Sequence, residues 1–325
     1  MNSWFGVCAA RDLKGRPRRF VIDGAPVVVF RSGDELHALS DICPHRFAPL
    51  SMGRLLGDRI ECPYHGWQFD TAGQCQAMPG CVTDLPRARV PVYATAEHDG
   101  VVFINLKASN AVPYSRVLSG PDMATAYAYN AVEARLADVA ENILDATHTH
   151  YIHKGLLRGL SHRRYRVQVT VTGGDDFIEA RYQGEPQQEG LVSRLFEGGR
   201  GVSVGRFKAP GIAEIEFWGR RQVSLITTFH LRQEAPDRVA GLCLLSGPKE
   251  WGLGYLKAAL FRPLFRIGVE QDRVILKAAA QNRDLIGDPK PMIGPLDILR
   301  KGIDAILRGE RPEAADRPVT LEMEL

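Results

Sequence analysis

Two Cys/His pairs constrain this chain more than any other feature of it. Cys43-Pro44-His45-Arg46 sets a cysteine and a histidine two residues apart, and Cys62-Pro63-Tyr64-His65-Gly66-Trp67 sets a second pair three apart, with 16 residues between the pairs. Two soft thiolates and two imidazoles presented from paired loops suit either a zinc ion or a two-iron, two-sulfur cluster. In such a cluster the thiolates hold one iron and the histidines the other. A zinc knuckle usually closes with two histidines spaced by three to five residues. Here each half mixes one Cys with one His, which is a poor zinc-finger pattern.

The segments flanking these pairs read as β-structure. Arg19–Ile22 and Pro26–Phe30 are β-branched runs separated by Asp23-Gly24, a two-residue hairpin signal. Ser32-Gly33-Asp34 gives a further turn before Glu35–Leu39, and Val90–Tyr93 and Val101–Leu106 flank His98-Asp99-Gly100. Such spacing predicts a small sandwich or barrel. Lys107 to Asp122, with Pro113, Gly120 and Pro121, reads as a linker or a wandering connection. Beyond it the periodicity predicts a helical segment around Val132–Tyr151. Strands are expected at Arg164–Val171, Phe177–Tyr182, Ile212–Trp218, Gln222–Leu231 and Arg238–Leu245. Helical spacing follows over Gly254–Leu285, broken only by Pro263 and Gly268, and again over Pro295–Leu307, before a polar, Pro-containing tail. A β-domain followed by an α+β domain is the expected layout.

Composition narrows the function classes. Lys+Arg 41 against Asp+Glu 38 leaves +3, so no broad basic surface for nucleic acid is expected. No apolar run approaches the length of a membrane-spanning helix, and the opening residues lack the pattern of a secretory signal. Six cysteines are too few for a disulfide scaffold, which points to a reducing, cytoplasmic setting. Cys8, Cys75, Cys81 and Cys243, outside the pairs, are expected to be buried or inert thiols.

Cys43-Pro44-His45-Arg46 with Cys62-Pro63-Tyr64-His65-Gly66-Trp67-Gln68-Phe69-Asp70, continued by Gly73-Gln74-Cys75 and Pro79-Gly80, resembles the Rieske loops of Rieske non-haem iron oxygenase large subunits. The resemblance implies a [2Fe-2S] cluster on Cys43, His45, Cys62 and His65. Rieske proteins of the cytochrome bc type add an inter-loop disulfide and hydroxyl donors to the cluster sulfurs. Those positions fall here at Ala48 and Tyr64, and at Trp67 and Phe69, none of which can serve. Without the donors the cluster potential is expected near the bottom of the ~−150 to +300 mV Rieske range.

A second constellation lies in Glu141-Asn142-Ile143-Leu144-Asp145-Ala146-Thr147-His148-Thr149-His150-Tyr151-Ile152-His153. Periodicity puts Asp138, Glu141, Asn142, Asp145, His148 and Thr149 on one helical face. Spacing alone leaves open which of His148, His150 and His153 could bind a metal, because residues five apart on a helix diverge by about 140°. A helix that bends or ends between His148 and His153 would let them converge. The resemblance chooses: the oxygenases' mononuclear-iron motif matches Asp145, His148 and His153, making the two histidines ligands, and includes the preceding Glu141-Asn142. Two imidazoles need a carboxylate to complete a facial triad with open positions. In Gly268–Leu276, Asp272 shares a helical stripe with Val269, Ile275, Leu276 and Ala279, whereas Glu270 falls with Arg266, Arg273 and Lys277 as a surface ion-pair residue. The family's third ligand resembles Asp272. In the family the Asp matching Asp145 joins a Rieske histidine of a neighbouring subunit, here His65, to a mononuclear-iron histidine, here His148. Asn142 is expected to support the same site.

The resemblance spans nearly the whole chain and implies an α+β architecture: a Rieske domain over about 1–110 and a helix-grip catalytic domain, an antiparallel sheet with long helices, over 111–325. It further implies mononuclear Fe(II), dioxygen as co-substrate, a head-to-tail homotrimer, and electrons from NAD(P)H through a reductase, directly or by way of a ferredoxin. The short length favours the branch that resembles vanillate O-demethylase and toluenesulfonate monooxygenase oxygenase components. Monooxygenation, by hydroxylation or oxidative demethylation of a small aromatic or heterocyclic substrate, is therefore expected. The rivals are cis-dihydroxylation of an arene, a Rieske electron carrier with a structural second domain, and a zinc-stabilised binding module. His230, in Thr227-Thr228-Phe229-His230-Leu231-Arg232, resembles a pocket histidine of some of these oxygenases and is the expected substrate contact, although it lacks the Thr-Pro that often follows. Of Phe217 and Trp218, one should face away from any site on that strand.

Overall fold

The computed structural model describes residues 3–85, 87–107, 111–114, 123–157, 160, 164–184, 189–191, 201–219, 223–249 and 253–325. Most of the expected linker, with Gly120 and Pro121, lies outside these residues, as does Gln222, the expected start of a strand. The chain separates into two compact units, divided between Ser115 and Arg116.

The first unit is all β. Its strands are β1 (Trp4–Ala9), β2 (Arg18–Ile22), β3 (Ala25–Ser32), β4 (Glu35–Ser40), β5 (Arg54–Leu56), β6 (Arg59–Glu61), β7 (Gln68–Asp70), β8 (Cys75–Ala77), β9 (Val92–His98) and β10 (Val101–Asn105). They form a six-stranded antiparallel sheet in the order β1-β10-β9-β4-β3-β2 and a four-stranded one in the order β5-β6-β7-β8. Asp23-Gly24 and Asp99-Gly100 make the tight turns of two hairpins. All four residues have positive φ, between 48° and 78°, and the backbone twist of such a turn matches that of the strands it joins. β3 explains the unit's layering. Val27 and Val29 pack with Phe20, Ile22, Val102 and Ile104, while Val28 and Phe30 turn to the other side, against Leu50, Ile60, Phe69 and the two thiols Cys43 and Cys62. A strand buried on both faces reads as the continuous apolar run seen in the sequence.

The second unit comprises β11 (Met123–Val132), α1 (Leu136–Leu144), β12 (Arg166–Gly173), β13 (Phe177–Gln183), β14 (Val202–Lys208), β15 (Ile212–Trp218), β16 (Val223–Ala235), β17 (Arg238–Pro248), α2 (Leu253–Leu285), α3 (Arg300–Leu307) and β18 (Val319–Glu324). Eight antiparallel strands form one sheet in the order β11-β17-β16-β15-β14-β13-β12-β18. Helices cover one face: Val139, Ala140 and Leu144 of α1 and Ile303 and Ile306 of α3 pack on Val169, Ile178, Phe207, Ala213 and Leu231. Arg300 ties the two helices together through Asp138 and Glu141, at 3.0 and 2.5 Å. Among the described residues no helix is long and apolar enough to cross a membrane.

Four expectations need correction. The helix expected around Val132–Tyr151 is only Leu136–Leu144, because Asp145 takes an extended backbone and its carboxylate accepts the Thr147 N–H at 2.7 Å, which starts a new turn. The last helix begins at Arg300 rather than Pro295, since Asp297 accepts the Gly294 N–H at 2.6 Å and holds a turn there. The tail is a strand: Val319, Leu321 and Met323 alternate with Thr320, Glu322 and Glu324, and the strand pairs with β12 at the sheet edge. Cys81 is partly exposed, and its hydrogen bonds to Thr83 hold its pKa below the ordinary thiol value.

The sheet face opposite the helices carries a row of polar cross-strand neighbours, Glu179, Arg206, Glu214 and Thr228. Buried Arg206 reaches Glu179, Glu214 and Glu216 at 2.6, 2.7 and 3.1 Å. Removing one member of a buried ion network strands its partners without compensation. Arg206→Leu is therefore expected to cost about 3–5 kcal/mol in urea unfolding. A loss within about 1 kcal/mol would show that other groups carry the charge of Glu214 and Glu216.

Candidate metal centres

The two Cys/His loops have one design. In the first, Cys43 N–H donates to Ala48 O at 2.9 Å and Phe47 N–H to Cys43 O at 2.9 Å; in the second, Cys62 N–H donates to Trp67 O at 2.8 Å and Gly66 N–H to Cys62 O at 3.1 Å. The residue four after each cysteine has positive φ, 58° at Phe47 and 71° at Gly66. Asp41, fully buried, braces the first loop by accepting Ser51 N–H at 2.6 Å, Ser51 Oγ–H at 2.7 Å and Arg19 Nη1–H at 2.5 Å. Both thiols are buried, and His45 and His65 lie nearer the surface with ring centroids 4.5 Å apart. His45 stacks on Trp67 at 4.8 Å, and its buried Nδ1 has no hydrogen-bond partner. Burial, together with the neighbouring Cys62, pushes the Cys43 thiol up to about 11, so its thiolate needs a cation beside it.

No three donors of this quartet lie within 4.8 Å of one another, as the ligands of a single ion must. The arrangement, two buried thiols on one side and two imidazoles nearer the surface, one with an unpartnered nitrogen, fits a two-iron cluster held by two Cys and two His.

The second constellation converges closely. His148 Nε2 and His153 Nε2 are 3.3 Å apart and lie 3.4 and 3.1 Å from Asp272 Oδ1. Donors about 2.1 Å from a common centre are about 3.0 Å apart at right angles and about 3.4 Å at tetrahedral angles. Convergence is possible because α1 ends before either histidine: His148 follows the Asp145 turn, and His153 lies one further turn along. His150 stays outside the group.

Hydrogen bonds behind the rings define their chemistry. His148 Nδ1 lies 2.8 Å from the carbonyl oxygen of Asp145, and His153 Nδ1 lies 2.9 Å from Gln271 Oε1. Both partners only accept, so each Nδ1 carries the proton and each neutral ring aims an Nε2 lone pair inward. Asp272 Oδ1, facing those lone pairs, is buried and makes no hydrogen bond. Three lone pairs in contact require a cation. Burial alone would lower the His148 pKa, but Asp145 and Asp272 raise it to about 9, the mark of a pocket that favours positive charge. Burial opposes ionisation of Asp272, yet the two imidazoles bring its pKa down to about 2. The donor set of two imidazoles and one carboxylate is that of non-haem Fe(II) oxygenases.

Gln271 was not singled out by the sequence pattern; its adjacency to Asp272 was the available signal. Partners behind metal-bound imidazoles are typically worth 10–100-fold in metal affinity. Gln271→Leu is expected to weaken Fe(II) binding at the triad by about 10–100-fold in an equilibrium competition with a chelator, leaving the visible spectrum of the cluster unchanged. An unaltered affinity would mean that Gln271 does not orient His153.

The triad opens onto a cavity of about 160 Å³ lined by Phe217, Phe229, Phe261, Phe265, Leu156, Leu157, Leu264 and Leu276, among others. Asn142 lines it too, whereas the carboxyl-bearing Asp145 does not. Asp145 instead accepts from Thr147 N and Oγ, both at 2.7 Å, and from His148 N at 3.1 Å, and its side chain keeps 30% exposure. Phe217 lines the cavity and Trp218 does not; its indole N–H donates to Glu216 at 2.8 Å.

His230 needs correction. Thr227, Phe229 and Leu231 of β16 line the cavity, so strand alternation directs His230 to the opposite face, where burial lowers its pKa to about 4. On α2, Ile275 and Ala279 face solvent rather than sharing the apolar stripe of Asp272, and Glu270 pairs with Arg273 at 2.6 Å.

Known proteins resemble this chain in sequence and in fold. Residues 3–94 match the Rieske [2Fe-2S] domain family. Methylxanthine N1-demethylase NdmA of Pseudomonas putida is 34% identical over 169 residues, 47% of this chain and 47% of the relative. The oxygenase component of dicamba O-demethylase from Stenotrophomonas maltophilia is 31% identical over 186 residues, 55% and 54% of the two chains. The aligned stretches thus span about half the length of these curated relatives. In fold, the chain is similar to dicamba monooxygenase bound to 3,6-dichlorosalicylic acid, with a TM-score of 0.79 at 22% identity, covering 94% of this chain and 96% of the other. It is likewise similar to NdmA with caffeine, with a TM-score of 0.74 at 22% identity over 97% and 95%.

Proposed function

We propose that this chain, which carries a Rieske [2Fe-2S] domain and resembles the Rieske non-haem iron oxygenases in sequence and fold, is the oxygenase component of a multicomponent system. It would use dioxygen and NAD(P)H-derived electrons to hydroxylate or oxidatively demethylate a small aromatic or heterocyclic substrate. The observation that carries this reading is the convergence of His148, His153 and Asp272 on the wall of an apolar cavity. An electron carrier has no need of such a cavity.

The residues divide the work. Cys43, His45, Cys62 and His65 would hold the cluster, and His148, His153 and Asp272 the lone iron. Bound there, the cluster would supply single electrons and the iron would activate dioxygen. The Asp145 carbonyl and Gln271 hold the two rings with Nε2 inward. Phenylalanine and leucine walls exclude water and orient a flat substrate beside the triad. The named activities of both relatives, N-demethylation and O-demethylation, remove a methyl group from a heteroatom, which supports monooxygenation over arene dihydroxylation. The wider reading includes a homotrimer in the cytoplasm, a flavin or iron–sulfur reductase or a ferredoxin as donor, and a domain division near residue 110. Asp145, partly exposed beside His148, would accept a hydrogen bond from His65 of a neighbouring subunit.

Two measurements test it. Reconstituted protein should contain about three irons per chain; two would mean an electron carrier, and zinc without acid-labile sulfide a binding module. With ¹⁸O₂ and a surrogate reductase, the product should carry one labelled oxygen. Two labels in one diol would replace monooxygenation by dihydroxylation.

A further inference from the structure

The cavity also indicates what kind of molecule it admits. Among the described residues its lining contains no Lys or Arg, and its only ionisable side chains are those of the triad. A carboxylate or sulfonate entering it would lose water without meeting a basic side chain to pair with, which is costly. On the sheet side, Asn130 faces the cavity from β11, and its side chain makes no hydrogen bond to a described residue. An amide group both donates and accepts, and it carries no charge. It therefore matches a neutral carbonyl, amide or ring nitrogen.

Two glycines give that amide and its ligand room. Gly241 of β17 stands directly opposite Asn130, with Leu231 opposite Gly241 on the other side. Gly268 lies inside α2, four residues before Asp272. Both line the cavity, and neither has the positive φ that calls for glycine. A Cβ on Gly241 would meet the flexible end of Leu231 at 3.2 Å; one on Gly268 would meet Leu156 Cδ2 at 3.6 Å and His153 Cε1 at 3.9 Å. Backbone packing thus forbids a side chain at neither position, while glycine within a strand or helix costs about 0.5–1 kcal/mol. What the two glycines preserve is open volume beside the triad.

We propose that this cavity selects an uncharged, ring-bearing substrate that presents a neutral hydrogen-bonding group to the Asn130 amide, with Gly241 and Gly268 setting the size of ring it admits. The proposal deepens the oxygenase reading and rests on it for the identity of the cavity as the substrate site. It is tested by anaerobic calorimetry on iron-replete protein with two near-isosteric probes, 3-methoxybenzamide and 3-methoxybenzoate. The amide should bind at least about tenfold more tightly, and Asn130→Leu should erase most of that preference by weakening the amide alone. Gly241→Val should weaken the amide by about tenfold or more, with iron content and circular dichroism unchanged. Equal or tighter binding of the benzoate, no binding of either probe, or an amide preference that survives Asn130→Leu would each overturn the proposal. Oxygen uptake is scored separately. Preferential amide binding with no uptake under any substrate would sink the oxygenase reading alone, and uptake with anionic substrates preferred would sink only this inference.

Discussion

His148→Ala is expected to abolish turnover while the protein keeps its red-brown colour. Three donors 3.1–3.4 Å apart would hold the lone metal, and losing one would leave a two-point attachment with an open edge. Iron should fall from about three to about two per chain, and the electron paramagnetic resonance of the reduced cluster should be unchanged. The separation is sharp because the cluster loops belong to the other compact unit, where Cys43 and Cys62 are buried in a core of their own. Bleaching of the visible spectrum would mean that the two centres have been wrongly divided between the residues.

Asp145→Asn should produce the opposite dissociation: both centres filled, and activity reduced by about 10–100-fold. His148 Nδ1–H donates to the main-chain carbonyl of Asp145, which the substitution leaves in place. The carboxylate itself lies 3.6 Å from that nitrogen and is held below its ordinary pKa: burial opposes this, and His148 and Thr147 outweigh it. An asparagine there is neutral and turns a donor toward the His148 N–H. Pre-reduced protein mixed rapidly with oxygen and substrate should show slow reoxidation of the cluster with normal iron content. Full-rate reoxidation would remove Asp145 from the electron route; loss of iron would make it a support of the metal site instead.

The two centres were legible in the sequence to different degrees, for physical reasons. The cluster loops are local: each Cys/His pair sits on one turn closed by its own backbone, so spacing alone narrows the chemistry. The lone-metal site is assembled from the Asp145 turns and from α2, and 118 residues separate His153 from Gln271. Helical periodicity there was misleading, since no helix continues past Leu144. The family resemblance, not the period, singled out His148 and His153. Elsewhere, β11 escaped notice because Ala and Thr stand where larger apolar residues usually mark a strand, and β14 because Gly205 and Arg206 interrupt its pattern. Gly205 lies 3.5 Å, measured from an added Cβ, beneath Leu144 of α1, and Arg206 belongs to the polar row on the opposite face. His230 shows the limit of resemblance without register, since one residue along a strand exchanges the two faces.

Joining the turns after α1 to the middle of α2 would make an ion on His148, His153 and Asp272 a rivet as well as a reagent. Any ligand that presses Leu156 and Phe265 together from within the cavity shares that rivet's task, since the same two segments supply its walls. Whatever coupling the shared walls create is reciprocal, so an ion that favours the ligand would be favoured by it to an equal degree. Protein stripped by chelators during purification would therefore understate its own affinity for substrate, and a tight-binding compound would be recognised first by the iron it prevents from escaping.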